Sequence, residues 1–241
     1  MKFEVNEVKI IEEEDGFKYY GIFDKDNKDW YEELKKFDKD TLKVMYNKDS
    51  YLVLSVDKDA SKIAPTKAGD VVEEIKYQEV ELAPNNYFVN SKIVKLKECE
   101  TIKDGKIVFE RDKRIEQIKK ELYELRLEYD MAPFEFEVKG VKYLQNNRSI
   151  DQSNLTRIVV MCQAMKKTEF ENWKFYTKDN SEKYVNLTLQ DMMRMANIMQ
   201  AHTTKAMATE TLLSHSLENL TDKELKEYDA KDRYEKAYKN M

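Results

Sequence analysis

The two histidines and two cysteines are the residues of this 241-residue chain best suited to act as nucleophile, base or metal ligand. His202 and His215 stand thirteen positions apart in what reads as a single helix. At 100° per residue they point roughly 140° away from each other, so one helix face cannot offer both to a metal. Cys99 and Cys162 are far apart in sequence, and neither has a second cysteine or a histidine at ligand spacing. Cys162 falls on an apolar stripe with Leu155, Ile158, Val159 and Met165, the place of a core side chain rather than an activated thiolate. A Cys162–His202 dyad would form only if the fold brought the two together.

Other chemistry is sparse. No Gly-rich phosphate loop occurs, and none of the GxSxG, HExxH or CxxC patterns is present. Only five glycines are available for close backbone approach to a ligand. Residues 24–29, Asp-Lys-Asp-Asn-Lys-Asp, are acidic enough to suggest a calcium loop, but they lack its central glycine and its bidentate glutamate. The acidic run 12–15 reads as a solvated turn. No catalytic residue, metal site or cofactor site is expected, and the chain is not expected to be an enzyme.

Charge and hydropathy narrow the partners. Charged residues make up 37% of the chain and hydrophobic residues 41%, with a net charge of −5 and lysine interspersed with glutamate. That pattern leaves no basic footprint for nucleic acid. No apolar stretch approaches the roughly 20 residues that cross a bilayer, and the first residues lack the apolar core of a signal peptide. Contact with nucleic acid or membrane is therefore not expected. Both cysteines are expected to stay reduced, as in a cytoplasm.

The elements that must position these residues change character along the chain. Residues 1–110 read as a β-rich docking module. Residues 17–23 form a β-prone run, residues 29–37 carry helical spacing with Asp29 as N-cap, and two strands flank Asn47-Lys48-Asp49-Ser50. Asp104-Gly105 between alternating residues is a strong hairpin signal.

Residues 111–132 read as a connecting helix. Ile115, Ile118, Leu122, Leu125 and Tyr129 recur at steps of three and four, an a/d seam over about two and a half heptads. The seam is a candidate oligomer interface, and a helix packed on its own domain remains equally open. Pro133 ends the helix.

Residues 133–220 read as an α+β domain. Lys139-Gly140 would turn a hairpin that sets Phe136 opposite Tyr143. A helix follows over about residues 151–167, and then a second hairpin around Asp179-Asn180. Thr188 with Asp191 opens a long helix whose stripe runs through Met192, Met195, Ala196, Met199, Thr203, Ala206 and Met207. Residues 221–241 read as a charged C-terminal helix opened by Thr221 and Glu224; a solvated extension is expected, with a docking helix as the alternative, for which Tyr228, Tyr234 and Tyr238 would give an aromatic face. The fold class is α+β.

Residues 134–219 resemble an uncharacterised domain of proteins encoded among bacteriophage and prophage tail and tail-fibre genes. The features carrying this are Phe136 and Tyr143 in the opening hairpin, the run 148–153 entering a helix, Trp173, Asp179-Asn180, and the run 185–189 before the helix bearing His202. Residues 51–60, with Pro65 after them, look like the small β-rich segments that head tail-fibre or fibre-assembly proteins. The resemblance implies a virion structural protein of the baseplate or tail fibre, made in the bacterial host cytoplasm. Its partners would be other phage tail proteins, together with homo-oligomerisation if the seam self-associates. A fibre-assembly chaperone absent from the finished particle is the nearest alternative. A host-defence inhibitor and an enzyme with a non-standard site stand further off. The family carries no catalytic residues to transfer.

Overall fold

A computed structural model describes residues 1–14, 17–81 and 84–241. The chain divides into two compact units, Met1–Glu110 and Arg111–Met241, and the architecture is α+β, strand-rich in the first unit and dominated by long helices in the second.

The first unit is built on a four-stranded antiparallel sheet. Its strands are β1 (Lys2–Glu4), β4 (Thr41–Asn47), β5 (Val53–Asp57) and β6 (Asp70–Lys76), in the order β1-β6-β4-β5. Alternation along β4 sends Leu42, Val44 and Tyr46 into one apolar cluster and Met45 into another, so the strand is covered on both faces. Lys43 shares the Met45 face and is 1% exposed. Its ammonium donates to the carbonyl oxygens of Asp38, Thr41 and Lys58, one acceptor for each of its three protons. Helix α1 (Trp30–Glu33) begins where the Asp29 carboxylate accepts from the Tyr31 N–H at 2.8 Å. It delivers Trp30 into the core between Phe3 and Phe37.

Three two-stranded hairpins complete this unit: β2 (Glu7–Glu14) with β3 (Phe17–Phe23), β7 (Asn86–Val89) with β8 (Lys92–Lys95), and β9 (Glu100–Lys103) with β10 (Lys106–Phe109). Asp104 and Gly105 both take positive φ, 50° and 69°, as the tight turn between β9 and β10 requires. The acidic residues Glu12, Glu13 and Glu14 belong to β2 rather than to a turn, while Asp15 lies outside the described residues. The hairpin ladder, with Glu12 opposite Tyr19 and Glu13 opposite Lys18, outweighs the poor strand preference of glutamate.

The second unit opens with α2 (Arg111–Asp130). Strands β11 (Phe134–Val138), β12 (Val141–Gln145), β13 (Glu169–Tyr176) and β14 (Glu182–Thr188) form an antiparallel sheet in chain order. Helix α3 (Ser149–Ala164) connects β12 to β13, and α4 (Leu189–Ser216) follows β14. Phe136 pairs with Tyr143 across a turn in which Lys139 and Gly140 have φ of 50° and 82°. Phe136, Leu155, Cys162, Phe175, Leu187, Met192, Met195 and Met199 belong to one core between the sheet and the two helices. Thr188 and Asp191 close the N-terminus of α4 reciprocally, through the Asp191 N–H at 3.1 Å and the Thr188 N–H at 3.2 Å.

Two stripe residues fall outside the core. Met165 and Met207 are 57% and 49% exposed. Met165 is the C-cap of α3, where helical spacing ends. Met207 follows Ala206, the residue that turns inward at that level of α4.

The last twenty residues are not a solvated extension. They form α5 (Asp222–Lys226) and α6 (Ala230–Asn240), separated by a break at residues 227–229. Leu225, Tyr228, Ala230 and Tyr234 are buried, and α6 packs on both α2 and α4. The Tyr234 hydroxyl donates to the Ala206 carbonyl at 2.8 Å. Arg114 donates to the carbonyls of Leu225, in the last turn of α5, and of Tyr228, just past its end. Burying these four apolar or aromatic residues outweighs the charge of the segment, because most of its lysines and acids stay at the surface.

Candidate functional site

The stripe Ile115, Ile118, Leu122, Leu125 and Tyr129 lies along α2, which packs on α4, α5 and α6 of its own unit. Ile115, Ile118 and Leu122 are 5%, 0% and 0% exposed, and Leu125 is half-buried. The half-buried Tyr129 ring lies 5.1 Å from Tyr234 and 4.6 Å from Tyr238. These residues are therefore already covered within a single chain, and the a/d period reflects helix packing inside the unit.

The residues with chemical potential are dispersed. Cys162 is buried in the sheet–helix core, and Cys99 is buried in the first unit. His215 is exposed in the last turn of α4. His202 is half-buried, its ring 5.5 Å from Phe134. In the loop before α1, the Asp24 carboxylate accepts from the N–H groups of Asp26 and Lys28 at 2.9 and 2.8 Å, so it closes a turn. Among the described residues, no three His, Cys, Asp or Glu side chains converge as a metal site would need.

Burial holds the His202 imidazole below its usual range, and this outweighs the opposing pull of Asp130. The folded ring therefore takes a proton less readily than the unfolded chain does. Its contribution to stability is complete above the ordinary imidazole pKa of about 6.5 and is lost as pH falls from there through the lower folded value. The melting temperature should accordingly drop more between about pH 7.5 and 5.5 in the native protein than in His202→Phe. Equal slopes in the two proteins would mean that the ring is freely solvated.

The C-terminal unit also holds a cleft between α3 and β13, a cavity of about 320 Å³. It exists because the sheet is barely closed at this point. β12 and β13 are in register through the single pair Leu144–Tyr176, and the chain then leaves β12 to enter α3. Asp151, Asn154 and Ile158, at helical spacing, give the α3 wall, with Arg157 beside them. Opposite stand Phe170, Asn172, Trp173, Lys174 and Tyr176.

A bulge and a set of side-chain contacts hold this geometry. The β13–β14 register shifts between Phe170 and Trp173, where Asn172 takes φ 61° and its N–H donates to the Asn186 side chain at 3.1 Å. Such a bulge re-aims the side chains after it. The Trp173 indole N–H donates to Gln145 at 2.9 Å, and the Gln145 amide in turn donates to the Asn146 carbonyl. Asp151 is held by the Arg148 guanidinium through contacts of 2.8 and 3.1 Å. Lys174 pairs with Glu182 at 3.0 Å. Arg157 reaches the Asn154 side-chain oxygen at 2.9 Å and has no carboxylate partner among the described residues.

Sequence patterns had singled out Trp173 but not Gln145, Asn154, Arg157 or Asn172. One signal was available. Apolar residues at 170, 173 and 175 step by three and then by two, which places a bulge at Glu171-Asn172.

The C-terminal unit is thus an α+β domain carrying a helix–strand cleft. Residues 111–232 match the family model of a domain of unknown function, DUF4376, over half of the chain, and the chain belongs to that family. The match begins at the first residue of α2 and runs into α6, so it takes in the cleft and most of the docked C-terminal segment. No curated protein matches the chain.

Proposed function

We propose that this chain is a non-enzymatic tail-associated protein of a bacteriophage or prophage, in the baseplate or tail-fibre region, working through contacts with other tail proteins. The observation that supports contact rather than catalysis is the disposition of the reactive groups: Cys99 and Cys162 are enclosed in cores, and His202 packs on Phe134. Potential contact surfaces lie elsewhere. In the first unit, Ile10, Ile11, Tyr19 and Tyr20 are 47%, 59%, 51% and 51% exposed on the two-stranded β2–β3 hairpin. A strand pair with open edges and solvated aromatic residues suits docking to a partner. The tail assignment itself is supported by the resemblance of residues 134–219, which lie inside the family domain.

Mass spectrometry of purified particles from an induced lysogen or infected culture tests the reading. A fixed copy number relative to known tail proteins is the expected result. Presence in the lysate with absence from the particles would overturn the virion assignment in favour of an assembly chaperone. Among the described residues, no helix is long and apolar enough to cross a membrane.

A further inference from the structure

We infer that the cleft between α3 and β13 takes an extended segment of a partner protein as an added strand on β13, with an acidic side chain of that segment on Arg157. The inference rests on the protein-contact reading above and is independent of the tail assignment.

The backbone supplies the first argument. β13 runs for eight residues, yet its side toward β12 is in register only at Tyr176. In an antiparallel sheet every second residue directs its N–H and C=O to a given side, so most of this edge has no ladder partner. The cavity lies along that edge. It is lined by Trp173, on the core face of the strand, and also by Lys174 and Tyr176, on the opposite face. Only a space at the rim of a sheet meets side chains from both faces of one strand. Extended chain is the ligand that matches a row of alternating donors and acceptors.

The side chains supply the second. Ile158, Phe170 and Trp173 offer apolar contact for one side chain of the incoming segment. Asn154 provides an amide for its backbone. The charges select an acid: Asp151 is neutralised by Arg148 and Lys174 by Glu182, which leaves the Arg157 guanidinium as the uncompensated charge. Guanidinium with carboxylate forms a forked, charge-assisted pair.

The chain has two tryptophans, Trp173 in the cleft and Trp30 buried in the other unit. Full-length protein labelled with 5-fluorotryptophan therefore carries a reporter and its own control. The probes are blocked heptapeptides of alternating valine and threonine, with glutamate placed at each position in turn. Parallel sets carry lysine in place of glutamate, or methyl groups on alternate backbone nitrogens.

The expected result is a saturable shift of the Trp173 fluorine signal by at least one glutamate peptide, with Trp30 unmoved. Lysine peptides and N-methylated peptides should bind at least tenfold more weakly. Arg157→Glu, at an exposed position, should reverse the preference toward lysine. The inference is overturned if Trp173 does not move at about 1 mM peptide, if N-methylation has no effect, or if Arg157→Glu leaves the charge preference unchanged. It is also overturned if neutral oligosaccharides move Trp173 and the peptides do not. Failure here, with the protein still found in particles, would remove the cleft and leave the tail reading standing.

Discussion

Leu122→Lys is expected to unfold the C-terminal unit rather than to dissociate an oligomer. Leu122 is fully enclosed on the face of α2 that packs on α4, α5 and α6. An ammonium placed there loses its water, a penalty of several kcal/mol. Loss of the leucine's own packing adds about 2–5 kcal/mol. That sum is comparable to the whole stability of a typical domain, about 5–15 kcal/mol. Fluorine spectra should show the Trp173 signal collapsing to its unfolded position while Trp30, in the core of the first unit, keeps its native shift. Leu122→Ala is the milder companion, expected to lower stability by about 2–5 kcal/mol. A lysine variant with a native Trp173 signal and a smaller sedimenting mass would instead make the seam an interface between chains.

Tyr234→Ala should be nearly as damaging. Its ring is completely buried against Tyr129, and its hydroxyl satisfies the Ala206 carbonyl. Aromatic-to-alanine changes in cores cost about 3–5 kcal/mol. Tyr234→Phe keeps the ring and removes only the hydrogen bond, so about 1 kcal/mol should separate it from the native protein. Urea denaturation followed at Trp173 measures both, as a lower midpoint with an unchanged slope. Deleting residues 221–241 should be worse than either substitution, since it uncovers the faces of α2 and α4 together. An unchanged midpoint after that deletion would restore the picture of a solvated extension.

The two variants mark where sequence reading gave way to packing. The period of Ile115, Ile118 and Leu122 correctly announced a helix with one apolar face, because that face is written in local spacing. What covers the face is not local, and the same stripe fits a second chain or the chain's own α4. The C-terminal segment was misjudged for a related reason. Its high charge dominates any average over composition, whereas Leu225, Tyr228 and Tyr234 matter only once a complementary surface exists. The cleft was hidden still more deeply. Arg157 and Asn154 look like solvated helix residues until the chain is seen to leave β12 after a single register pair with β13.

Turn chemistry and caps were determined by the sequence itself. Asp104-Gly105 and Lys139-Gly140 reverse the chain because positive φ is cheap at glycine and tolerated before it. Asp29, Thr188 and Thr221 start helices because each side chain reaches an N–H two or three residues ahead. The α+β division and the change from strand to helix after Phe109 follow from the period of the apolar residues. Only the tertiary structure decided that the α2 seam is interior, that the last helices dock, and that β13 keeps an open edge beside an unpaired guanidinium. Those outcomes depend on surfaces distant in sequence meeting, and neither spacing nor composition within a segment carries that information.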